Sequence, residues 1–392
     1  MKQKIAITSL SSISALGQHP NEIWDSYLSY KTAITNQLFN GKSKPVAQIP
    51  LEIKKKLKEL RNSDTKYKAL DETVLMAILA SREAVKMAGW DSGENFGINI
   101  GSSRGATQLF ETHHKEFIET GKAATLTSPT TTLGNISSWV AHDLKSKGLA
   151  ISHSITCSTG LHAILNAVAW LKSGMATKFL VGASESPLTD FTLAQMEALK
   201  IYSNQPENEY PCLALDLEKK KNTMVLGEAV SLACLELGVK ENALAYVEGI
   251  GYATDDLEHN ISISEEAKCF QESMKMALQN TPLEDVDAIV MHAPGTIKGD
   301  LSEFKAIQKL FSKSGIEPVE VPLLTTNKWK LGHTFGTSGM LSVELAILMM
   351  QHNTFIPVPF ISNQLVQKPI KKVLVNAVGF GGNAVSVLLS CD

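Results

Sequence analysis

The chain has 392 residues, of which 44% are apolar and 20% charged, a composition typical of a soluble protein with a large hydrophobic core. Its formal net charge is −3, so no overall positive field would recruit nucleic acid. The five cysteines form no CxxC pair, which argues against a disulfide framework or a zinc site and favours reduced thiols in the cytoplasm.

The segment at 1–17, MKQKIAITSLSSISALG, places lysines before a partly apolar run, as a secretory signal peptide does. Serines interrupt that run, so the segment is interpreted as a strand followed by a turn. The apolar stretches elsewhere are far shorter than the roughly 20 residues needed to cross a bilayer. We therefore expect a cytoplasmic protein without a membrane-spanning segment.

Strand-like runs alternate with helical patterns from one end of the chain to the other. The predicted strands are 5–8, 98–101, 178–183, 287–293 and 372–379, and the predicted helices include 70–88, 160–172 and 338–351. The helix at 160–172 has Leu161, Ile164, Leu165 and Val168 on one face. Strands that alternate with crossover helices predict a mixed or parallel sheet covered by helices on both faces.

Glycine-bearing turns lie where predicted strands end. They are TCSTG (156–160), HAPGTIKGD (292–300), KLGHTFGTSG (330–339) and GFGGN (379–383). Ligands of open α/β sheets bind at the carboxyl ends of strands, so we expect these four turns to form one composite site.

Cys157 lies between the apolar run at 149–156 and the predicted helix at 160–172. The unpaired N–H groups and the dipole at a helix N-terminus favour the thiolate, which is the nucleophile in acyl transfer. The alternative is a buried cysteine that acts as a small hydrophobe, and this alternative suits the other four cysteines better. Cys157 is therefore the candidate nucleophile.

His292 and His333 differ from the other histidines because each ends a strand-like run or opens a glycine turn. Each could be a hydrogen-bonded structural residue. Two neutral imidazoles can also donate N–H groups to an oxyanion, and one such donor is typically worth about 10²–10³ in rate. A cysteine with two histidine donors suits carbon–carbon bond formation through an enolate better than it suits peptide hydrolysis.

The segments CSTG, HAPGTIKGDLSE, NKWKLGHTFGTSG and NAVGFGGN occur in the order and approximate spacing of the β-ketoacyl-[acyl-carrier-protein] synthases of the elongating type. The chain resembles this family over nearly its whole length. The resemblance implies a thiolase-like α/β fold, in which two similar αβαβα halves form a five-layered unit. We expect the half at 1–237 to carry the cysteine and the half at 238–392 to carry the two histidines.

Site residues follow from the same resemblance. Cys157 matches the acylated nucleophile, and His292 and His333 match the two catalytic histidines. Lys328 matches a lysine that orders the site, and Glu303 stands at the position of its usual partner. A plain surface ion pair is the alternative for these last two residues.

The GFGGN turn matches the family's gating turn. Phe380 corresponds to the phenylalanine at the acyl pocket, and with Gly381 it forms the predicted oxyanion and gating turn. The backbone N–H groups of Phe380 and Cys157 are the predicted oxyanion hole. Thr296 matches the threonine that remains of an HGTGT-type motif and is predicted to bind the substrate arm. A core aromatic residue beside a tight turn is the alternative for Phe380.

The resemblance implies a ping-pong reaction that needs no metal or redox cofactor. An acyl group moves from an acyl carrier protein to Cys157, and a malonyl-carrier protein then loses CO₂ and extends it. The implied partners are the carrier protein and a second subunit, in a homodimer or in a heterodimer with a related synthase. Lys66 and Lys68, with Lys219–Lys221, are candidate docking residues for an acidic carrier, although a solvated charge run is the alternative.

Several positions depart from the family pattern. HGTGT becomes HAPGT, with Pro294 in place of the first threonine, and Asn383 stands where threonine is expected after GFGG. The segment at 215–229 lacks the usual Arg-Asp/Asn-Gly pattern. These differences favour a secondary-pathway synthase, such as one that makes polyenes or polyketides.

Two alternatives fit the sequence less well. A thiolase would need a second cysteine in a CxG-type turn near the C-terminus, and Cys391 lies in no such turn. A non-catalytic, chain-length-factor-like subunit would usually lack the nucleophile, which this chain retains. The altered HAPGT and GFGGN turns keep this second alternative open.

Overall fold

The computed structural model describes residues 3–91, 93–133, 135–256, 263–312, 321–361 and 369–391. Its strands are β1 (Ile5–Ile13), β2 (Thr35–Phe39), β3 (Lys42–Ala47), β4 (Gly97–Gly101), β5 (Ala150–Ile151), β6 (Lys178–Glu185), β7 (Leu226–Gly227), β8 (Ala229–Leu237), β9 (Ala245–Thr254), β10 (Ala288–Val290), β11 (Leu323–Thr325), β12 (Lys372–Val378) and β13 (Asn383–Ser390). Its helices are α1 (Pro20–Leu28), α2 (Leu51–Ser63), α3 (Glu72–Met87), α4 (Thr107–Thr120), α5 (Thr127–Thr131), α6 (Asn135–Leu144), α7 (Thr159–Lys172), α8 (Asp190–Ala198), α9 (Lys268–Leu278), α10 (Ile297–Phe311), α11 (Lys328–Leu331) and α12 (Ser338–Gln351). Short 3₁₀ turns lie at Thr65–Tyr67, Leu283–Asp285 and Phe335–Thr337.

The main sheet contains an internal repeat. One half has the strand order β5-β4-β6-β8-β1 and the other has the order β11-β10-β12-β13-β9. In both halves the first three strands are parallel and the last two pairings are antiparallel. A short antiparallel pairing of β1 with β9 joins the halves into one sheet. This duplicated order confirms the mixed sheet and the two similar halves that were predicted.

The predicted division at residue 237 falls in the connection between β8 and β9. It remains a prediction, because the two half-sheets are hydrogen-bonded to each other through β1 and β9.

Helices α7 and α12 pack against each other between the two half-sheets, whereas α3 and α9 lie against other faces of the sheet. Helix α12 is buried from Ser338 to Met350, so it has no polar face. On α7, the predicted apolar stripe is buried at Leu161, Ile164 and Val168, and Leu165 is only partly buried. The structure therefore has one helical layer between the two half-sheets and further helices on their other faces.

Two glycines allow the N-terminal ends of α7 and α12 to approach closely. A Cβ atom on Gly160 would lie 2.7 Å from Met340 Cγ, and one on Gly339 would lie 2.6 Å from Leu161 Cγ. Real Cβ atoms do not approach other atoms so closely, so larger residues would push the helices apart. Because Cys157 precedes α7 and the KLGHTFGTSG turn leads into α12, this contact brings two candidate site segments together.

The predicted strand at 287–293 is shorter in the structure, where β10 ends at Val290. The reason is local: the backbone N–H groups of His292 and Ala293 donate to the carboxylate of Glu303 instead of to a neighbouring strand. Among the described residues, no helix has the length and apolar character required to span a membrane.

Candidate active site

Cys157 stands in a sharp turn at the start of α7. The preceding residue, Thr156, has φ +46°, which is in the left-handed region and reverses the chain direction before the helix. Gly379 lies against this turn, and a Cβ atom there would be only 1.8 Å from Thr156 Oγ1. The two motifs that carry Cys157 and Phe380 are therefore in direct backbone contact.

The thiol of Cys157 is buried, with 6% of the residue exposed. Burial, and to a smaller extent the negative charge of Glu185, raise the pKa of the thiol to about 12. The charge of Lys328 and the backbone N–H groups of Cys157 and Phe380 lower this pKa, but they do not outweigh burial. The N–H groups at the helix N-terminus favour the thiolate, as predicted, but desolvation has the larger effect on the pKa.

His292 and His333 meet within one cavity. Their ring centroids are 5.4 Å apart and their planes are nearly perpendicular, at 83°. Burial lowers the pKa of both imidazoles, to about 3 for His333, and the charge of Lys328 adds to the effect. Both rings are therefore neutral near pH 7 and can donate an N–H group without carrying a charge.

The tautomer of His333 follows from its hydrogen bonds. Nδ1 accepts the backbone N–H of Phe335 at 2.9 Å, so the ring proton must be on Nε2. For His292, Nδ1 is buried without a hydrogen-bond partner among the described residues. His333 therefore has a fixed N–H donor at Nε2, whereas Nδ1 of His292 has no partner among the described residues.

Glu303 holds the HAPGT turn through the backbone. Its carboxylate accepts the N–H groups of His292 and Ala293 at 2.9 Å each, and it accepts Asn376 Nδ2 at 3.2 Å. The carboxylate is fully buried, and burial raises its pKa. Glu303 therefore positions the turn that carries His292.

Lys328 begins α11 with 1% of its surface exposed. Burial lowers its pKa, and the nearby charge of Glu303 opposes that shift. The interpretation of Lys328 and Glu303 as a plain surface ion pair is wrong, because both groups lie in the protein interior. Lys328 instead provides a buried positive charge behind the two histidines.

The GFGGN turn closes the other side of the site. Gly381 and Gly382 have φ +93° and +70°, which residues with side chains rarely adopt, and Phe380 in the same turn is 38% exposed. Thr156 Oγ1 donates to the carbonyl of Phe380 at 3.3 Å. The backbone N–H groups of Phe380 and Cys157 both lower the pKa of the Cys157 thiol, so both lie close to it, and their role as an oxyanion hole remains a prediction.

A cavity of about 230 Å³ joins these groups. Its walls include Cys157, His292, His333, Thr296, Phe380 and Gly381, together with the apolar side chains of Met196, Ile201, Met224, Ile263, Phe335 and Val378. Thr296 also caps α10, because its Oγ1 accepts the N–H of Gly299 at 3.1 Å. The structure therefore brings the four predicted turns together, with Lys328 and Glu303 behind the cavity wall.

A buried ion pair that sequence reasoning missed supports the HAPGT turn. Lys219 Nζ lies 2.7 Å from Asp300 Oδ2, and this carboxylate also accepts the N–H groups of Leu215 and Gly295. The expectation that Lys219 is a surface docking residue is wrong, because its side chain is only 2% exposed. Nothing in a run of three lysines indicates which one points inward.

Glu185 is a further residue that sequence reasoning missed. Its carboxylate lies at the end of β6, fully buried, and accepts Ser102 Oγ at 2.9 Å, the Gly336 N–H at 3.1 Å and the Ser103 N–H. Burial raises its pKa to about 7. A signal was available, because a glutamate at the carboxyl end of an apolar strand is unusual in a buried sheet.

The predicted docking residues lie outside the cavity. Lys66 and Lys68 are exposed, and Lys66 contacts Asp64 at 3.5 Å and lies over the ring of Tyr67. A second depression, of about 460 Å³, is lined in part by Lys200, Lys220 and Lys221. It shares Asn222 with the catalytic cavity, so these lysines stand beside the cavity mouth.

Comparisons with known proteins agree with this architecture. Residues 2–239 match the model of the β-ketoacyl synthase N-terminal domain, and residues 244–361 match that of the C-terminal domain. The chain is 27% identical to a 3-oxoacyl-[acyl-carrier-protein] synthase 2 of Coxiella burnetii, over 99% of each chain. It is 25% identical to the protein of the same name in Staphylococcus aureus strain COL, over 98% of each chain.

Solved structures share the fold over the whole chain. The ishigamide ketosynthase/chain length factor superposes with a TM-score of 0.82 at 18% identity, covering 100% of this chain and 99% of that one. A β-ketoacyl synthase from Burkholderia phymatum STM815 gives a TM-score of 0.82 at 20% identity, covering 99% of each chain. A type II PKS ketosynthase in complex with its acyl-carrier protein gives 0.82 at 19% identity, covering 100% of each chain. These similarities confirm the predicted thiolase-like fold.

Proposed function

The chain belongs to the β-ketoacyl synthase family, and on this premise we propose that it condenses an acyl group held on Cys157 with a malonyl unit on a carrier protein. The product is a 3-oxoacyl-carrier protein, and CO₂ is released. One observation carries the proposal: a buried thiol, two backbone N–H groups and two neutral imidazoles line the same cavity.

The first half-reaction transfers the acyl group. Cys157 Sγ attacks the thioester carbonyl of an acyl-carrier protein, and the N–H groups of Cys157 and Phe380 stabilise the oxyanion. The bond to the carrier sulfur breaks, and the proton of the Cys157 thiol ends on the departing carrier thiol. The raised pKa of Cys157 supports loss of this proton during the attack rather than before it.

The second half-reaction forms the carbon–carbon bond. The carboxylate of the malonyl group leaves as CO₂, and the electron pair of the broken C–C bond forms an enolate. The enolate oxygen accepts hydrogen bonds from the N–H groups of His292 and His333. The enolate carbon then attacks the Cys157 thioester, the bond from the carbonyl carbon to Sγ breaks, and Sγ takes up one proton. Burial, assisted by the charge of Lys328, lowers the pKa of both imidazoles, and this supports the step because neutral rings can donate without carrying a charge.

The non-catalytic alternative is less well supported. A subunit that only shapes a partner's pocket has no use for a nucleophile, yet Cys157 faces an open cavity together with both histidines. The test is to mix the protein with acyl- and malonyl-carrier proteins and to measure CO₂ and the 3-oxoacyl product. Cys212→Ala, at a buried cysteine outside the cavity lining, is the control for substitution of Cys157.

The proposed partners are an acyl carrier protein and a second synthase subunit. Lys66 and Lys68 are exposed and available to an acidic carrier, as are Lys220 and Lys221 beside the cavity mouth. For the subunit contact, β5 pairs with β4 and ends the main sheet, close to Cys157 in the chain. Helix α4 also exposes apolar side chains, including Phe110 and Ile118. Light scattering that gives the mass of a monomer, alone and with candidate partner subunits, would refute the proposed pairing.

A further inference from the structure

The short turn that follows His333 determines which ring nitrogen of this histidine carries the proton. Phe335 N–H donates to His333 Nδ1, which leaves Nε2–H as the donor. To point its N–H at the ring, Phe335 adopts φ +46°, a left-handed conformation that is unfavourable for a side chain of this size. Such a conformation persists only where the surrounding structure holds it.

Glu185 is one of the groups that hydrogen-bond to this turn. Its Oε1 accepts the N–H of Gly336, the residue that follows Phe335, at 3.1 Å. The same carboxylate accepts Ser102 Oγ and the backbone N–H of Ser103, so it joins the turn to the loop after β4. The guanidinium of Arg104, in the same loop, lies 5.6 Å from the ring centroid of Phe335.

The contact between Glu185 and Gly336 has little freedom to move. Glu185 ends β6, which is hydrogen-bonded on both sides, to β4 and to β8. On the other side, a Cβ atom on Gly336 would lie 2.7 Å from Glu185 Oε1 and 3.1 Å from Ser103 N. A rigid strand therefore sets the place of the turn.

We propose that Glu185 is a positioning residue that fixes the Phe335–Gly336 turn and thereby holds His333 in its Nε2–H form for the condensation step. The catalytic part of this proposal rests on the proposed function of His333, whereas the effect on its tautomer does not. Glu185 has no comparable contact with the Phe380 turn, so acyl transfer to Cys157 depends on it less.

Glu185 also has an electrostatic effect that can be separated from its positional effect. Its negative charge raises the pKa of the Cys157 thiol. Glu185→Gln removes the charge and keeps an oxygen that can accept the Gly336 N–H, whereas Glu185→Ala removes both. The two variants therefore distinguish a group that holds the turn from one that acts only through its charge.

The experiment uses full-length protein with ¹⁵N-labelled histidine, and the His333 signals are assigned by comparison with His333→Asn. In wild type and in Glu185→Gln we expect a single Nε2–H tautomer, and in Glu185→Ala we expect a mixture with the Nδ1–H form. Condensation should fall roughly 10²-fold in Glu185→Ala, the loss typical of one oxyanion donor, and only severalfold in Glu185→Gln. Acylation of Cys157 should change less than threefold in either direction in both variants.

Glu236→Gln is the matched control, because Glu236 is a buried glutamate that contacts Trp90 and Thr8 away from the cavity. If Glu185→Ala retains one Nε2–H tautomer, or if it loses acylation and condensation equally, the proposal is wrong. If Glu185→Ala does not fold, Gly336→Ala takes its place, because a Cβ atom there would lie 2.7 Å from Glu185 Oε1 and would displace the turn from the carboxylate. A mixture of tautomers in Gly336→Ala would then support the proposal, and a single Nε2–H tautomer would refute it. A wild-type enzyme that makes no 3-oxo product would refute the proposed function, while the tautomer result would still decide the role of Glu185.

Discussion

The rings of His292 and His333 meet edge to face, with centroids 5.4 Å apart, although His292 follows strand β10 and His333 follows helix α11. Burial and the charge of Lys328 keep both rings neutral. Two neutral donors beside one thiol form a site in which charge can develop on substrate oxygens without a competing charge on the protein. This relationship is the structural basis of the proposed condensation.

Substitution of either histidine should slow condensation much more than it slows acylation of Cys157. His333→Asn or His292→Asn should lower the rate of condensation by about 10²–10³-fold, because one donor to the enolate oxygen is lost. Acylation of Cys157 should change much less, since the N–H groups of Cys157 and Phe380 serve that step. Rapid-quench measurement of each half-reaction checks this, and equal losses in both would contradict the assignment.

The reactivity of Cys157 should depend steeply on pH. Because the pKa of the thiol is about 12, the thiolate fraction rises about tenfold per pH unit throughout the range from 6.5 to 10. The rate of alkylation by iodoacetamide should follow this slope without a plateau, and Cys391→Ser removes the background from the exposed cysteine. A plateau below pH 9 would mean that the helix N-terminus stabilises the thiolate after all.

The acid sensitivity of the fold should depend on His333. Its pKa is about 3 in the folded protein and about 6.5 in an unfolded chain, so between these values only the unfolded state binds the proton. The contribution of His333 to the free energy of unfolding is therefore complete above pH 6.5. As the pH falls below this value, the contribution decreases by about 1.4 kcal/mol per pH unit. His333→Asn should reduce the slope of the unfolding free energy between pH 6.5 and 4.5 by this amount in urea titrations. An unchanged slope would show that His333 takes up its proton in the folded state.

The ion pair between Lys219 and Asp300 should be important for stability. Lys219→Met leaves the buried Asp300 carboxylate without its cation, and removing one partner of a buried pair typically costs about 3–5 kcal/mol. Lys220→Met is the matched control, because that side chain is 86% exposed and its pairing with Glu218 contributes at most about 1 kcal/mol. Chemical denaturation of both variants makes the comparison, and equal stabilities would contradict the buried pairing.

Charge reversal should test the carrier-docking proposal. Lys66→Glu combined with Lys68→Glu should raise KM for the carrier-bound acyl group by roughly tenfold and leave kcat nearly unchanged, since charges at the rim of an interface mainly affect association. Lys55→Glu with Lys58→Glu is the control, because it makes the same change in charge at a different place, the exposed face of α2. An equal effect of the two double variants would remove Lys66 and Lys68 as specific contacts.

Much of the fold and the identity of the site residues could be predicted because the relevant signals are local. Apolar runs marked the strands, and the glycine turns marked the places where Cys157, His292 and His333 stand. Burial was not predictable in the same way. Lys219 and Lys328 look like surface lysines in the sequence, and only the packing of distant segments puts them in the interior beside Asp300 and Glu303.

The pKa values of the site residues could not be predicted from the sequence either. A helix N-terminus favours the thiolate of Cys157, but the chain around the thiol excludes water, and this burial raises the pKa by more than the N–H groups lower it. Glu185 contributes to this effect from a strand that is distant from Cys157 in the sequence and adjacent to it in the fold. A pKa depends on three-dimensional burial, which a motif does not report.

The most direct test of the central claim is the intact mass of the protein after incubation with a panel of acyl-carrier proteins, with wild type beside Cys157→Ala. We expect an acyl adduct on wild type alone, and we expect malonyl-carrier protein to clear it with formation of a 3-oxoacyl-carrier protein. An adduct that persists in Cys157→Ala would show that another residue is the nucleophile. If no primer gives an adduct, alone or with candidate partner subunits, the chain is not a condensing enzyme and the non-catalytic subunit is the better account.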